Sequence, residues 1–140
     1  MIVEQRVYFL IQSDELAPDQ ITRHLGVQPT RTEVKESRRG GRSGRLLPPR
    51  HEWMTDSGLP ENASLGEQLE AVMNRLAGAW DRIGELTARN ADATLVMLRS
   101  FEPGPGSSPL GLVLDEAAFG LLHRSGARLW IDEYDCEISG

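Results

Sequence analysis

The side chains best suited to chemistry in this sequence are five arginines, Arg38, Arg39, Arg42, Arg45 and Arg50, gathered in RRGGRSGRLLPPR and followed at once by His51. Guanidinium groups grip phosphate or carboxylate bidentately, and the interleaved glycines free backbone N–H groups to turn toward the same anion. Arg38, Arg39, Arg42, Arg45, Arg50 and His51 are therefore the candidate binding residues, for a small anionic ligand, an acidic protein or nucleic acid. No aromatic side chain stands between the arginines, so a single-strand binder would lack its stacking platform, and nucleic acid is the less favoured of the three. Against any of them stands a plainer reading, a solvated loop, because every basic residue of the chain except Lys35 is arginine.

The other reactive side chains carry less. Asp132 alternates with Glu133 and Asp135 along a strand, so the three carboxylates do not converge on one cation, and no metal site is expected. His24 and His123 close short helices, where a cation complements the helix dipole, and neither belongs to a His-Glu-x-x-His pattern. Ser43 lacks the Gly-x-Ser-x-Gly spacing of a nucleophile elbow. Gly104-Pro105-Gly106 opens no helix, as a dinucleotide turn must, and Cys136 lies between two acids that disfavour its thiolate. No catalytic residue and no cofactor is assigned. An enzyme with a cleft at His51 would need a carboxylate or serine brought there by folding.

The 140 residues fit one domain, residues 1–140, with a core that needs no staples. A hydrophobic share of 39% and a charged share of 26% exclude a disordered or low-complexity chain. The net charge of -6 is unevenly spread: residues 31–50 hold seven basic and two acidic side chains, a local +5 that leaves the remainder at -11. Whole-surface attraction to nucleic acid or to a membrane is excluded by that balance, and any such affinity is local to the basic segment. One cysteine cannot form an internal disulfide, and no apolar run approaches the length of a spanning helix, so a cytoplasmic location is expected.

The elements that position these residues follow from periodicity. The run Val7-Tyr8-Phe9-Leu10-Ile11 predicts a strand buried on both faces near the middle of a sheet. Pro18 opens a short helix with Ile21 and Leu25 on one side and Gly26 as its stop. Residues 32–37 read as a weak edge strand, 38–50 as a flexible loop and 51–57 as the return strand anchored by Trp53. Ser64 and Glu67 have capping-box spacing, and Leu65, Leu69, Val72, Leu76 and Ile83 then form one stripe of a long helix over 65–89, with Gly78 as a point of bending. A second buried strand spans 93–101 and makes a hairpin with 112–114. Asp115 caps a last helix with Ala118, Phe119 and Leu122 inward, and Leu129–Tyr134 is the final strand.

Three helices and six strands in this order give an α+β fold, a mostly antiparallel sheet with helices on one face, in ferredoxin-like βαββαβ order followed by an additional βαβ unit. One sheet face is then left bare. Trp53 and Trp130, both on strands, become candidate anchors for a partner on it, including a second copy of the chain.

YFLIQSDELAPDQITRHLGVQPT at 8–30, Trp53 after the basic loop, the Ser64 helix and LVLDEAAFGLLHRSGARLWIDEYD at 112–135 together resemble the bacterial family called domain of unknown function 4279. The resemblance spans nearly the whole chain and rests on caps, helix stops and turns. It implies a domain extent and no reaction. The basic loop is longer and more arginine-rich than the family pattern. The functional expectation is a small cytoplasmic, non-enzymatic binding or protein-interaction domain. Anion or nucleic-acid binding through 38–50 and an enzyme near His51 are the alternatives.

Overall fold

The computed structural model describes residues 2–35, 50–101 and 112–135. Its elements are β1 (Ile2–Ser13), α1 (Pro18–Leu25), β2 (Arg31–Glu33), β3 (His51–Asp56), α2 (Leu65–Arg75), α3 (Trp80–Thr87), β4 (Asp92–Phe101), α4 (Glu116–Ser125) and β5 (Arg128–Asp135). The fold is α+β, a five-stranded, mostly antiparallel sheet in the order β2-β3-β1-β4-β5. β1 pairs antiparallel with β3 and β4 on its two sides, β2 pairs antiparallel with β3, and β5 joins β4 in parallel after the α4 crossover.

Alternation along β1 sorts the sheet into two faces. Val7, Phe9 and Ile11 are fully buried beneath the helices, with Trp53, Leu95 and Met97 from the flanking strands. Phe9 meets Trp80 of α3 edge to face, ring centroids 5.5 Å apart. The intervening Tyr8 and Leu10 are only half-buried, so β1 is central as expected, fully buried on the face that the described helices cover and half-buried on the other. An unbroken apolar run conceals that difference, because its composition is the same for a strand between two layers and for one beneath a single layer.

β3 stops at Asp56, opposite Tyr8, while β1 continues beyond it. The buried Gln68 side chain of α2 takes the place of the missing strand. Its Oε1 accepts the Val7 N–H at 3.0 Å, and its Nε2 donates to the carbonyls of Gln5 at 2.8 Å and Ala63 at 3.0 Å. The Gln5 N–H donates to the Glu61 carbonyl at 2.9 Å. Buried backbone groups must find partners, and here an amide side chain, having both donor and acceptor, supplies them.

Several local expectations hold. Ser64 Oγ accepts the Glu67 N–H at 3.1 Å and Asp115 caps α4 through the Ala118 N–H at 2.9 Å, while α1 and α4 stop at Gly26 and Gly126. The Glu67 carboxylate accepts from the Ser64 hydroxyl, where a full capping box would have it accept the backbone N–H.

Four expectations are corrected. The helix over 65–89 is two helices, α2 and α3, broken around Gly78, whose φ of 82° is left-handed. Leu76 and Ile83 stay fully buried on either side of the break, so the stripe was real although the helix was not continuous. Residues 112–114 are not a strand, and β4 itself is the first strand of the last βαβ unit, which removes the expected hairpin and leaves five strands and four helices among the described residues. The weak edge strand is shorter than expected, Arg31–Glu33. Phe119 is 57% exposed, whereas Ala118 and Leu122 are buried.

Close packing between α3 and α4 rests on Gly84, where a Cβ would run into the Arg124 carbonyl. Two stability measurements follow, read from urea unfolding midpoints. Gln68→Leu leaves the Val7 N–H and Gln5 carbonyl unpartnered and is expected to cost roughly 2–4 kcal/mol. Gly84→Ala forces α3 and α4 apart and is expected to cost about 1–3 kcal/mol.

Candidate functional site

The basic segment emerges from the end of the sheet where β2 finishes and β3 begins. Arg38, Arg39, Arg42 and Arg45 lie outside the described residues. Arg50 and His51, the two candidates within them, already have partners in the frame. Arg50 Nη1 contacts the Asp92 carboxylate at 2.6 Å, its Nε lies 3.4 Å from Asp14, and its Nη2 donates to the Gln12 carbonyl at 3.4 Å. One guanidinium thus ties the start of β3 to the end of β1 and the start of β4. His51 Nδ1 accepts the Lys35 N–H at 2.9 Å, closing the base of the segment that joins β2 to β3. Ser13, opposite His51, has its hydroxyl oxygen accepting the Glu15 and Leu16 N–H groups at 3.3 and 3.0 Å, which makes it a turn-forming residue.

The other face of the sheet holds a different arrangement. Strand register places Tyr8, Leu10 and Gln12 of β1 beside Glu52 and Met54 of β3 and Thr94, Val96 and Leu98 of β4, and these beside Arg128, Trp130 and Asp132 of β5. No described helix lies on this face. A depression of about 480 Å³ opens there, lined by Leu10, Gln12, Glu52, Thr94, Arg128 and Trp130. Its polar groups are paired across strands: Gln12 Nε2 donates to Glu52 at 2.9 Å and Arg128 Nη2 to the Thr94 hydroxyl at 3.4 Å. Leu10 and the Trp130 ring supply the apolar part.

Trp130 is 57% exposed, whereas Trp53 is fully buried on the helix face, its indole N–H donating to the Thr22 hydroxyl at 3.0 Å. Of the two strand tryptophans named as anchors, only Trp130 is available. The sequence left them equal because each sits on a short β-favouring run, and register alone assigns their faces. Tyr8 and Leu10 were missed as surface residues. The signal that could have found them was the Tyr in Val7-Tyr8-Phe9-Leu10-Ile11, whose hydroxyl seeks water or a polar partner.

β5 concentrates the exposure. Leu129, Trp130, Ile131 and Tyr134 are all exposed, on a strand whose outer edge no described strand covers. The opposite edge, β2, is three residues long and polar, Arg-Thr-Glu. Glu133, on the helix face of β5, is engaged by the buried Arg99 of β4 at 2.7 Å. Asp132, on the bare face, has no ion-pair partner among the described residues.

These features define a class: an α+β domain with one face of its sheet layered by helices and the other, free of described helices, carrying a shallow, partly aromatic depression beside the buried Met54 and Val96. Within it the chain belongs to the family described as Domain of unknown function (DUF4279), whose sequence profile matches residues 3–136. No curated protein and no solved structure gives a significant match. Among the described residues no helix is long and apolar enough to cross a membrane, and no three His, Cys, Asp or Glu side chains gather as metal ligands.

Burial pushes the Tyr8 phenol above its ordinary value of 10.0, with Arg6 and Arg31 pulling against the shift. The Arg6 guanidinium lies 5.8 Å from the ring centroid. A phenol raised in the folded state keeps its proton longer than in the unfolded chain, so stability falls as pH rises from the ordinary tyrosine range through the folded value. An absorbance titration is expected to show one late-ionising tyrosine, and Tyr8→Phe is expected to abolish that late step.

Proposed function

We propose that this chain is a cytoplasmic, non-enzymatic protein-interaction domain that binds its partner through β5 and the adjoining bare sheet face. The observation that carries the reading is the gathering of Leu129, Trp130, Ile131 and Tyr134 on one uncovered edge strand. Soluble proteins blunt their sheet edges with charge, brevity or covering elements, as β2 does here, and β5 is a longer edge whose centre, Leu129-Trp130-Ile131, is apolar and offers a template for pairing. Trp130 has the amphipathic ring that serves interfaces best, and the depression beside it offers one pocket for a partner side chain.

The arrangement also supports a ferredoxin-like reading of the first four strands. Taken alone they lie in the order β4-β1-β3-β2, each antiparallel to its neighbour, with β5 added outside β4. Binding by the basic segment draws no comparable support, since Arg50 is held by Asp14 and Asp92.

The test is cross-linking and affinity capture with the whole chain, comparing it with Trp130→Asp. Any partner of this surface, a further copy included, is expected to be lost at least about 10-fold with the variant, in line with an interface-centre aromatic. Capture unchanged by the substitution would overturn the reading.

A further inference from the structure

The sequence of β5 from 128 to 132 runs Arg, Leu, Trp, Ile, Asp, and this pattern complements itself when reversed. We infer that the occupant of the β5 edge is a second copy of this chain, paired antiparallel about a two-fold axis that passes beside Trp130. The inference rests on the interaction reading above and names its partner.

A two-fold axis perpendicular to the sheet keeps each face continuous across the join, so residues of like parity meet. With Trp130 opposite Trp130, Arg128 of each copy faces Asp132 of the other, giving two ion pairs on the bare face. Leu129 then faces Ile131 on the opposite side, again twice. Every side chain of the five finds a complementary one, and Asp132 gains the partner it lacks within its own described surroundings. Cross-strand aromatic, aliphatic and opposite-charge pairs are the units that stabilise a sheet.

Other alignments of the same strand do worse. Centring the axis on Asp132 sets two carboxylates directly opposite each other, and centring it on Ile131 sets Trp130 against Asp132. In-register parallel pairing places Arg128 on Arg128 and Asp132 on Asp132. Of these alignments the register about Trp130 is the one that satisfies charge and apolar surface together. Leu129 and Ile131, 36% and 39% exposed although they point to the helix side, are covered by the same act.

Charge exchange tests partner and register at once, with mass measured by sedimentation equilibrium from micromolar to millimolar concentration. The native chain is expected to show twice the chain mass at the upper end. Arg128→Asp alone and Asp132→Arg alone each convert two attractive pairs into two repulsive ones, and each is expected to weaken the dimer about 10-fold or more. Mixing the two variants restores both ion pairs between unlike copies, and a mixed dimer of near-native affinity is expected. Arg128 is exposed and Asp132 half-buried, and circular dichroism of each variant checks that it is folded. A native chain that stays single at millimolar concentration, or a dimer indifferent to the charge changes, would overturn the inference. If a single chain still captures another protein in a Trp130-dependent way, the interaction reading survives without it; if no Trp130-dependent contact of any kind is found, both fall.

Discussion

The constraint on which the structure depends is that β1 must have its backbone satisfied along both edges while lying at the centre of the sheet. β4 meets that demand along one side over almost the whole strand, and β3 meets it along only part of the other. Where β3 ends, a single glutamine on α2 completes the ladder with the Glu61 carbonyl. This fixes more than two hydrogen bonds. It sets the height and angle at which α2 crosses the sheet, and so brings Leu65, Leu69 and Val72 down onto the same core as Val7 and Phe9.

Once α2 is set, the remaining helices have one side of the sheet to occupy. α3 packs over β4, with Trp80 against Phe9, and α4 packs against α3 through the approach that Gly84 permits. The α4 crossover then delivers β5 parallel to β4 at the margin of the sheet. α4 packs chiefly on α3, and the apolar side chains of β5 remain exposed on both its faces. The exposed edge is thus a consequence of where the last helix finds its partner. Its chemistry is unlike that of a strand shaped only to avoid contact, since β2 shows what such an edge looks like in the same sheet.

The arginine-rich segment is the most conspicuous feature of the sequence, and four of its five arginines lie outside the described residues, whose own surface features are on the strands. Reactive side chains draw notice one residue at a time, whereas the depression on the bare face is assembled from Leu10, Glu52, Thr94 and Trp130, each on a different strand. None of them is unusual alone. Trp130 was legible as an anchor, but so was Trp53, and nothing local to either residue tells one from the other. Arg50 illustrates the converse: its charge suggested a ligand, and the fold uses it to join three strand ends.

What the sequence determined by itself were the features that depend on a few neighbouring residues: the Ser64 and Asp115 caps, the helix stops, the apolar stripes and the identity of the strands around Phe9 and Leu95. Helix and strand periodicities are local, so they can be read locally. It even marked Gly78 as the weak point of the long stripe, though a left-handed break and a bend differ only in how the two halves pack afterwards. The tertiary structure alone decided which of the described strands stands at the edge, which tryptophan went inward and which face the described helices cover. Those outcomes turn on the pairing of residues far apart in the chain, and a strand has the same two faces whichever of them the helices choose to cover.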